Sequence, residues 1–259
     1  MTTAFEDILQ AGWKLPRAVW DNLSEYERSF AHIELSDRRT RGYYRSRLRQ
    51  IGFINLDCVL DAGCGIGQWS IALGDLNAHV LAVDLNPTRV NLARGLASGE
   101  NQTNITFGIA PIERLPFRTN TFDAVFCYGV FMFSNIPVTL AEFYRVLKPG
   151  GLLYVNANSL GWYLHLIVDR GMLCGNWRLV RTAVLMIGRR LFGRTKLVVV
   201  SERWLRKLLD QAGYTLLDTG AEGEVVLPGS RTIAVASAYS RSFYGFRAIV
   251  EELARKRVQ

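Results

Sequence analysis

Cysteine is scarce: four among 259 residues, at Cys58, Cys64, Cys127 and Cys174, with no C-x-x-C pair. That argues against a zinc ribbon and a disulfide-stapled fold, and no metal site is expected. Cys58 and Cys127 stand in apolar runs and read as buried thiols, which fits a reducing, cytoplasmic setting. No uncharged apolar stretch reaches the roughly 18 residues of a membrane span. The first ten residues, MTTAFEDILQ, carry acids where a secretory leader needs bases. Repeats and low-complexity tracts are also missing. Lysine is rare, since 26 of the 31 basic residues are arginine. Arginine is the better bidentate ligand for phosphate, although a coding bias leaves the same trace.

What is present is a globular composition, 49% hydrophobic and 21% charged, which excludes a disordered or fibrous chain. The net charge of +8 is uneven. Residues 53–161 sum to −2, whereas residues 162–200 sum to +6. A soluble chain is expected, or one resting at the inner face of a membrane through 160–198.

The texture divides the chain. Residues 1–52 read as a helical cap, with six arginines between Arg38 and Arg49 and with Tyr43 and Tyr44 among them. From residue 53 apolar runs alternate with helical segments: CVLDAGCG, HVLAVD, ITFGIA, FDAVFCYG and LLYVNAN are read as strands. That alternation predicts an α/β fold, a doubly wound and mostly parallel sheet with helices on both faces. ERWLRKLLDQAG reads as a later helix, and YTLLDTG and RTIAVASAY as final strands, bringing the count to seven and the domain to 53–240. The apolar and basic stretch 159–198 reads as a helical insertion after strand five, and 241–259 as a basic C-terminal helix.

Asp61, Gly63, Gly65 and Gly67 form D-x-G-x-G-x-G between the first strand and its helix. Glycines there let a ligand approach the backbone. The dinucleotide fingerprint needs a glycine where Gln68 stands, and no G-K-[ST] follows, so pyrophosphate and Walker A loops are set aside. Asp84 ends the second strand, 19 residues after Gly65, where a carboxylate accepts from both hydroxyls of a ribose.

These segments, together with IERLPFRTNTFDAVFCYGVF and EFYRVLKPGGLLYV, resemble the class I, seven-stranded methyltransferases that use S-adenosylmethionine (SAM). The resemblance spans about residues 55–160 and, more loosely, 201–240. It implies SAM as cofactor: the Gly63–Gly67 backbone facing the methionine part, Asp61 near its amino group, and Asp84 on the ribose. It also implies Leu85 and Ile112 as the two walls of the adenine site, with Cys127 and Tyr128 near the sulfonium. Pro111 stands where many relatives carry an acid for the adenine amino group, so a different adenine contact is expected.

The acceptor is less legible. CYGVFMFSN replaces the [DN]-P-P-[YF] sequence of amino-methylating DNA enzymes of this fold. Tyr128, Phe131 and Phe133 are expected at the acceptor pocket, simple core packing being the alternative. Tyr43 or Tyr44 would cap the cofactor, Arg45 would meet its carboxylate, and His165 is the candidate base. The leading expectation is methylation of an oxygen on a small-molecule or saccharide-type acceptor. A lipid-linked acceptor at a membrane, RNA, and SAM binding without catalysis stay open.

Overall fold

The computed structural model describes residues 3–35, 40–158, 202–221 and 243–250, with isolated positions at 172, 177, 180, 181, 184 and 200. Four helices come first: α1 (Ala4–Gln10), α2 (Arg17–Asp21), α3 (Glu25–Leu35) and α4 (Arg41–Gln50). Then β1 (Cys58–Ala62), α5 (Gln68–Gly74), β2 (His79–Asp84), α6 (Pro87–Gly99), β3 (Ile105–Ile109), β4 (Phe122–Cys127), α7 (Ile136–Val146) and β5 (Leu147–Asn158) alternate. Helix α8 (Glu202–Gln211) precedes β6 (Tyr214–Ala221) and β7 (Phe243–Val250).

Five strands pair in parallel in the order β3-β2-β1-β4-β5. β7 runs antiparallel beside β5, and β6 lies outside β7 in the same sheet. The chain therefore winds outward from β1 to β3, then returns across β1 to β4. That reversal leaves a crevice at the carboxyl ends of β1 and β4, the place where open α/β sheets bind ligands.

The strands are apolar because both faces are covered. Val59, Phe126 and Tyr154 pack under α4 and α5 on one face. Leu60, Val125 and Val155 pack under α7 and α8 on the other. The cap shares the first of these cores: Phe5, Trp13, Leu35, Tyr44 and Leu48 are buried with Trp69 and Phe126. Charge ties it down as well. The Arg41 guanidinium meets Asp75 at the end of α5, and its Nη1 donates to Glu100 at the end of α6 at 2.6 Å. Glu100 also accepts from the Lys14 amide at 2.7 Å. Arg41→Ala would strand the Glu100 side chain, only 2% exposed, without its charge partner. A loss of about 3 kcal/mol is expected in urea unfolding, in the range for breaking a buried pair.

Several expectations are corrected. Residues 241–259 do not form one helix, since Phe243–Val250 is a strand. FYGFRAIV is rich in aromatic and β-branched residues, and β5 offers it a full ladder from Leu152↔Ile249 to Asn158↔Phe243. The strand expected at RTIAVASAY and most of the 159–198 insertion, His165 included, lie outside the described residues. Asp123 stands within β4, where it accepts from the Cys58 amide at 2.9 Å and from Lys148 Nζ at 2.6 Å. Cys58 is half-buried, at the start of β1, rather than closed into the core.

Candidate functional site

At the end of β1 the chain turns on three glycines with positive φ: Gly63 (+85°), Gly65 (+56°) and Gly67 (+89°). They do different work. A Cβ on Gly63 would lie 2.2 Å from Val130 Cγ1, and one on Gly67 would lie 2.8 Å from Ala93 Cβ. Those two glycines close the loop against the β4 turn and against α6. A Cβ on Gly65 would meet nothing within 4 Å. Gly65 is therefore the position where an outside group can lie on the backbone. Gly65→Ala is expected to cost about 1 kcal/mol of stability, the price of a left-handed alanine, yet to weaken ligand binding at least tenfold. Gly63→Ala should instead impair folding itself. Thermal melts and ligand titrations on both variants separate the two roles.

Asp84, at the end of β2, is buried and holds this loop. Its Oδ2 accepts from the Gly65 amide at 3.0 Å and its Oδ1 from the Asn86 amide at 2.8 Å. Each oxygen keeps a second lone pair, enough for one hydroxyl apiece. Asn86 caps α6, accepting from the amides of Thr88 and Arg89, with Pro87 in the first turn.

Asp61, at the C-terminal end of β1, is 1% exposed. Its Oδ2 accepts from Ser70 Oγ at 2.6 Å. Burial pushes its carboxyl up to about 7, the Ser70 hydroxyl works the other way, and the Asp84 charge raises it further. A buried carboxyl at the edge of ionisation is the partner a cation would stabilise.

β4 ends at Cys127, and Tyr128 and Gly129 follow it in the turn. Cys127 is fully buried, and burial drives its thiol well above the usual range, so it acts as packing and not as a nucleophile. Gly129 donates its amide to Asn156 Oδ1 at 2.7 Å, tying the β4 turn to β5. The Tyr128 ring lies 4.8 Å from that of Trp69.

The 111–121 loop is held by α7. Glu142 accepts from the Leu115 amide at 2.6 Å, and Arg145 donates to the carbonyls of Phe117 and Leu115. The Glu142–Arg145 ion pair, at i, i+3 spacing on α7, thus organises the wall carrying Ile112. Arg145 lowers the Glu142 carboxyl, against the effect of burial. Glu113 Oε1 accepts from the Asn135 amide at the start of α7 at 3.2 Å.

The expected site residues fall into two groups. Asp61, Gly63, Gly65, Gly67, Asp84, Leu85, Cys127 and Tyr128 gather at the carboxyl ends of β1, β2 and β4. Leu85 is 69% exposed beside Asp84, while Ile112 is buried. The aromatic acceptor set divides. Phe133 is exposed. Phe131 is fully buried and stacks on Phe143 at 6.5 Å, so it belongs to the core. Tyr44 is likewise core: its ring is 4.6 Å from Trp69, and its hydroxyl donates to the Glu34 carbonyl. Tyr43 is half-buried at its edge. Arg45 faces Asp75 at 3.8 Å rather than the crevice.

Sequence reasoning missed Ser70 and Asn156. Asn156 had one available signal, an amide inside the apolar run LLYVNAN.

The expected cofactor fits these residues. The open backbone at Gly65 admits a ligand, Asp84 retains acceptors for a diol, buried Asp61 awaits a cation, and exposed Leu85 offers an apolar face.

Comparison with known proteins agrees. Residues 60–155 match a family model described as a methyltransferase domain. An uncharacterized methyltransferase of Bacillus subtilis (strain 168) is 38% identical over 95 residues, covering 37% of this chain and 40% of the relative. A ubiquinone biosynthesis O-methyltransferase of Xanthomonas campestris pv. campestris (strain B100) is 38% identical over 102 residues, 38% of this chain and 41% of that one. The chain thus spans about two fifths of the length of these relatives. Among solved structures, a magnesium protoporphyrin IX methyltransferase from Synechocystis PCC 6803 with bound SAH superposes with a TM-score of 0.57. The identity is 18%, over 91% of this chain and 92% of that one, which is a likeness of fold.

Proposed function

We propose that this chain, whose residues 60–155 match a methyltransferase-domain family model, is a class I SAM-dependent methyltransferase that methylates an oxygen of a small-molecule acceptor. The observation that carries the reading is the juxtaposition of the open Gly65 backbone with Asp84 and buried Asp61 where the winding reverses. SAM supplies a methyl group already activated on a sulfonium. What the chain contributes is alignment of acceptor and methyl, an effect worth up to about 7–11 kcal/mol. Asp84 would hold the ribose, Asp61 the amino group, and Leu85 and Ile112 the adenine. Tyr128 would flank the reacting centre, with Tyr43 and exposed Phe133 at the acceptor's entrance. His165 is the proposed base. An oxygen acceptor draws support from the printed activity of the Xanthomonas relative.

A lipid-linked acceptor at a membrane surface is the second reading. Met172, Trp177 and Val184 are exposed within the segment that carries the +6 charge. No helix among the described residues is long and apolar enough to cross a membrane. RNA is disfavoured because Arg41 is engaged by Asp75 and Glu100, Arg45 faces Asp75, and Arg47 is buried.

The test uses methyl-labelled SAM with purified protein and a fractionated cell extract. Label in the small-molecule fraction supports the first reading and label in the organic phase the second. SAM binding without label anywhere would overturn catalysis.

A further inference from the structure

Two buried N–H donors beside the crevice have no partner among the described residues: Asn156 Nδ2 and Trp69 Nε1. Asn156 is fully buried and Trp69 is 4% exposed. Such donors are rare in native proteins, because each forfeits the hydrogen bond it had in water. Neither serves the SAM contacts proposed above.

Both abut the Tyr128–Gly129 turn. The Asn156 amide has a defined orientation: Gly129 N–H is a donor, so the atom 2.7 Å from it must be the carbonyl oxygen. The NH2 group therefore points elsewhere. Asn156 follows Tyr154 by two residues on β5 and shares its face of the sheet. On that face the Tyr154 ring stacks on Phe126 at 5.4 Å, and Phe126 meets Trp69 at 5.0 Å. Indole N–H donates only. The two groups thus offer hydrogen atoms and no lone pairs, among aromatic rings.

We propose that Asn156 Nδ2 and Trp69 Nε1 seat an anionic oxygen of the acceptor, restricting it to acidic hydroxyl compounds: phenols, enols or carboxylic acids. The inference rests on the methyltransferase reading and narrows it. N–H donors stabilise an oxyanion but cannot remove a proton. Two of them lower an acceptor's pKa by about two units. That suffices for a phenol, about 10, and not for an aliphatic hydroxyl, an acid as weak as water. The proton leaves first, to the base proposed above or to water. The oxygen–carbon bond then forms as the carbon–sulfur bond breaks, its electron pair remaining on sulfur. A saccharide hydroxyl would be a poor acceptor here.

The experiment begins with S-adenosylhomocysteine (SAH) binding to the wild-type protein by calorimetry. The SAH-loaded protein is then titrated at pH 8.5 with 4-nitrophenolate, and with methyl α-glucoside as the neutral control. Binding of the phenolate but not the glucoside is expected. Asn156→Asp keeps an oxygen for Gly129 while removing the donor, and Trp69→Phe removes only the indole N–H. Each should weaken 4-nitrophenolate at least about tenfold, with SAH affinity within twofold of wild type. Either variant suffices if the other fails to fold. Equal binding of the phenolate to wild type and variants, or none to wild type, would overturn the seat. So would a loss of SAH affinity with 5′-methylthioadenosine unaffected, which would assign the donors to the methionine carboxylate. If wild type binds no SAH, the methyltransferase reading falls instead, and the phenolate titration of the free protein still decides the seat.

Discussion

Asp84→Ala is expected to abolish cofactor binding, with SAH affinity falling at least about 100-fold, equivalent to about 3 kcal/mol. Two losses combine. The ribose would lose its paired acceptors, each charge-assisted hydrogen bond being worth about 1.5–3 kcal/mol. The amides of Gly65 and Asn86, which Asp84 holds at 3.0 and 2.8 Å, would lose their partner as well. Calorimetry with SAH and circular dichroism on the same sample check both. A folded variant that binds SAH normally would sink the ribose assignment.

Asp61→Asn should have opposite effects on stability and binding. The folded carboxyl titrates at about 7, against 3.8 when unperturbed. A raised carboxylate pKa makes the native state favour the proton. The penalty is absent below the unfolded pKa, grows as pH rises from about 4 to 7, and is complete above 7. The full span corresponds to about 4 kcal/mol as an upper bound. The ligand-free Asn variant should therefore be more stable than wild type by about 2 kcal/mol at pH 8, and by almost nothing at pH 4. Chemical denaturation at the two pH values measures this. Ligand binding should respond inversely. A bound ammonium group favours ionised Asp61, so wild-type SAH affinity should rise from pH 5.5 to 7.5 with uptake of ligand releasing protons. The variant should bind more weakly and lose that slope. A pH-independent wild-type affinity would remove Asp61 from the amino-group site.

The proposed cofactor half of the site was legible in its backbone, because backbone requirements write themselves into local sequence. Three glycines in alternation mark a turn that needs positive φ, and an acid closing the next strand marks a carboxylate at the sheet's edge. The acceptor half was not. Tyr44, Phe131 and Phe133 look alike as letters, yet the first two are buried and the third is exposed. Which way an aromatic points depends on what packs against it: Trp69 of α5 for Tyr44, and Phe143 of α7 for Phe131. The tail was misread for a related reason. A strand such as Phe243–Val250 gains its stability from the ladders of β5 and β6, not from its own periodicity.

By itself, then, the sequence determined the alternation of strand and helix, the glycine turn and the acid that follows it, because period, turn conformation and strand ends are short-range properties. Tertiary structure decided that the cap is welded to the sheet through Arg41, which glycine stays open, and that Asp61 is held at the edge of ionisation. It also decided that Asn156 and Trp69 stand beside the same turn with donors to spare. Those are matters of burial and of contacts between residues up to about a hundred positions apart, and burial is what turns an ordinary carboxyl or amide into a group that needs a partner.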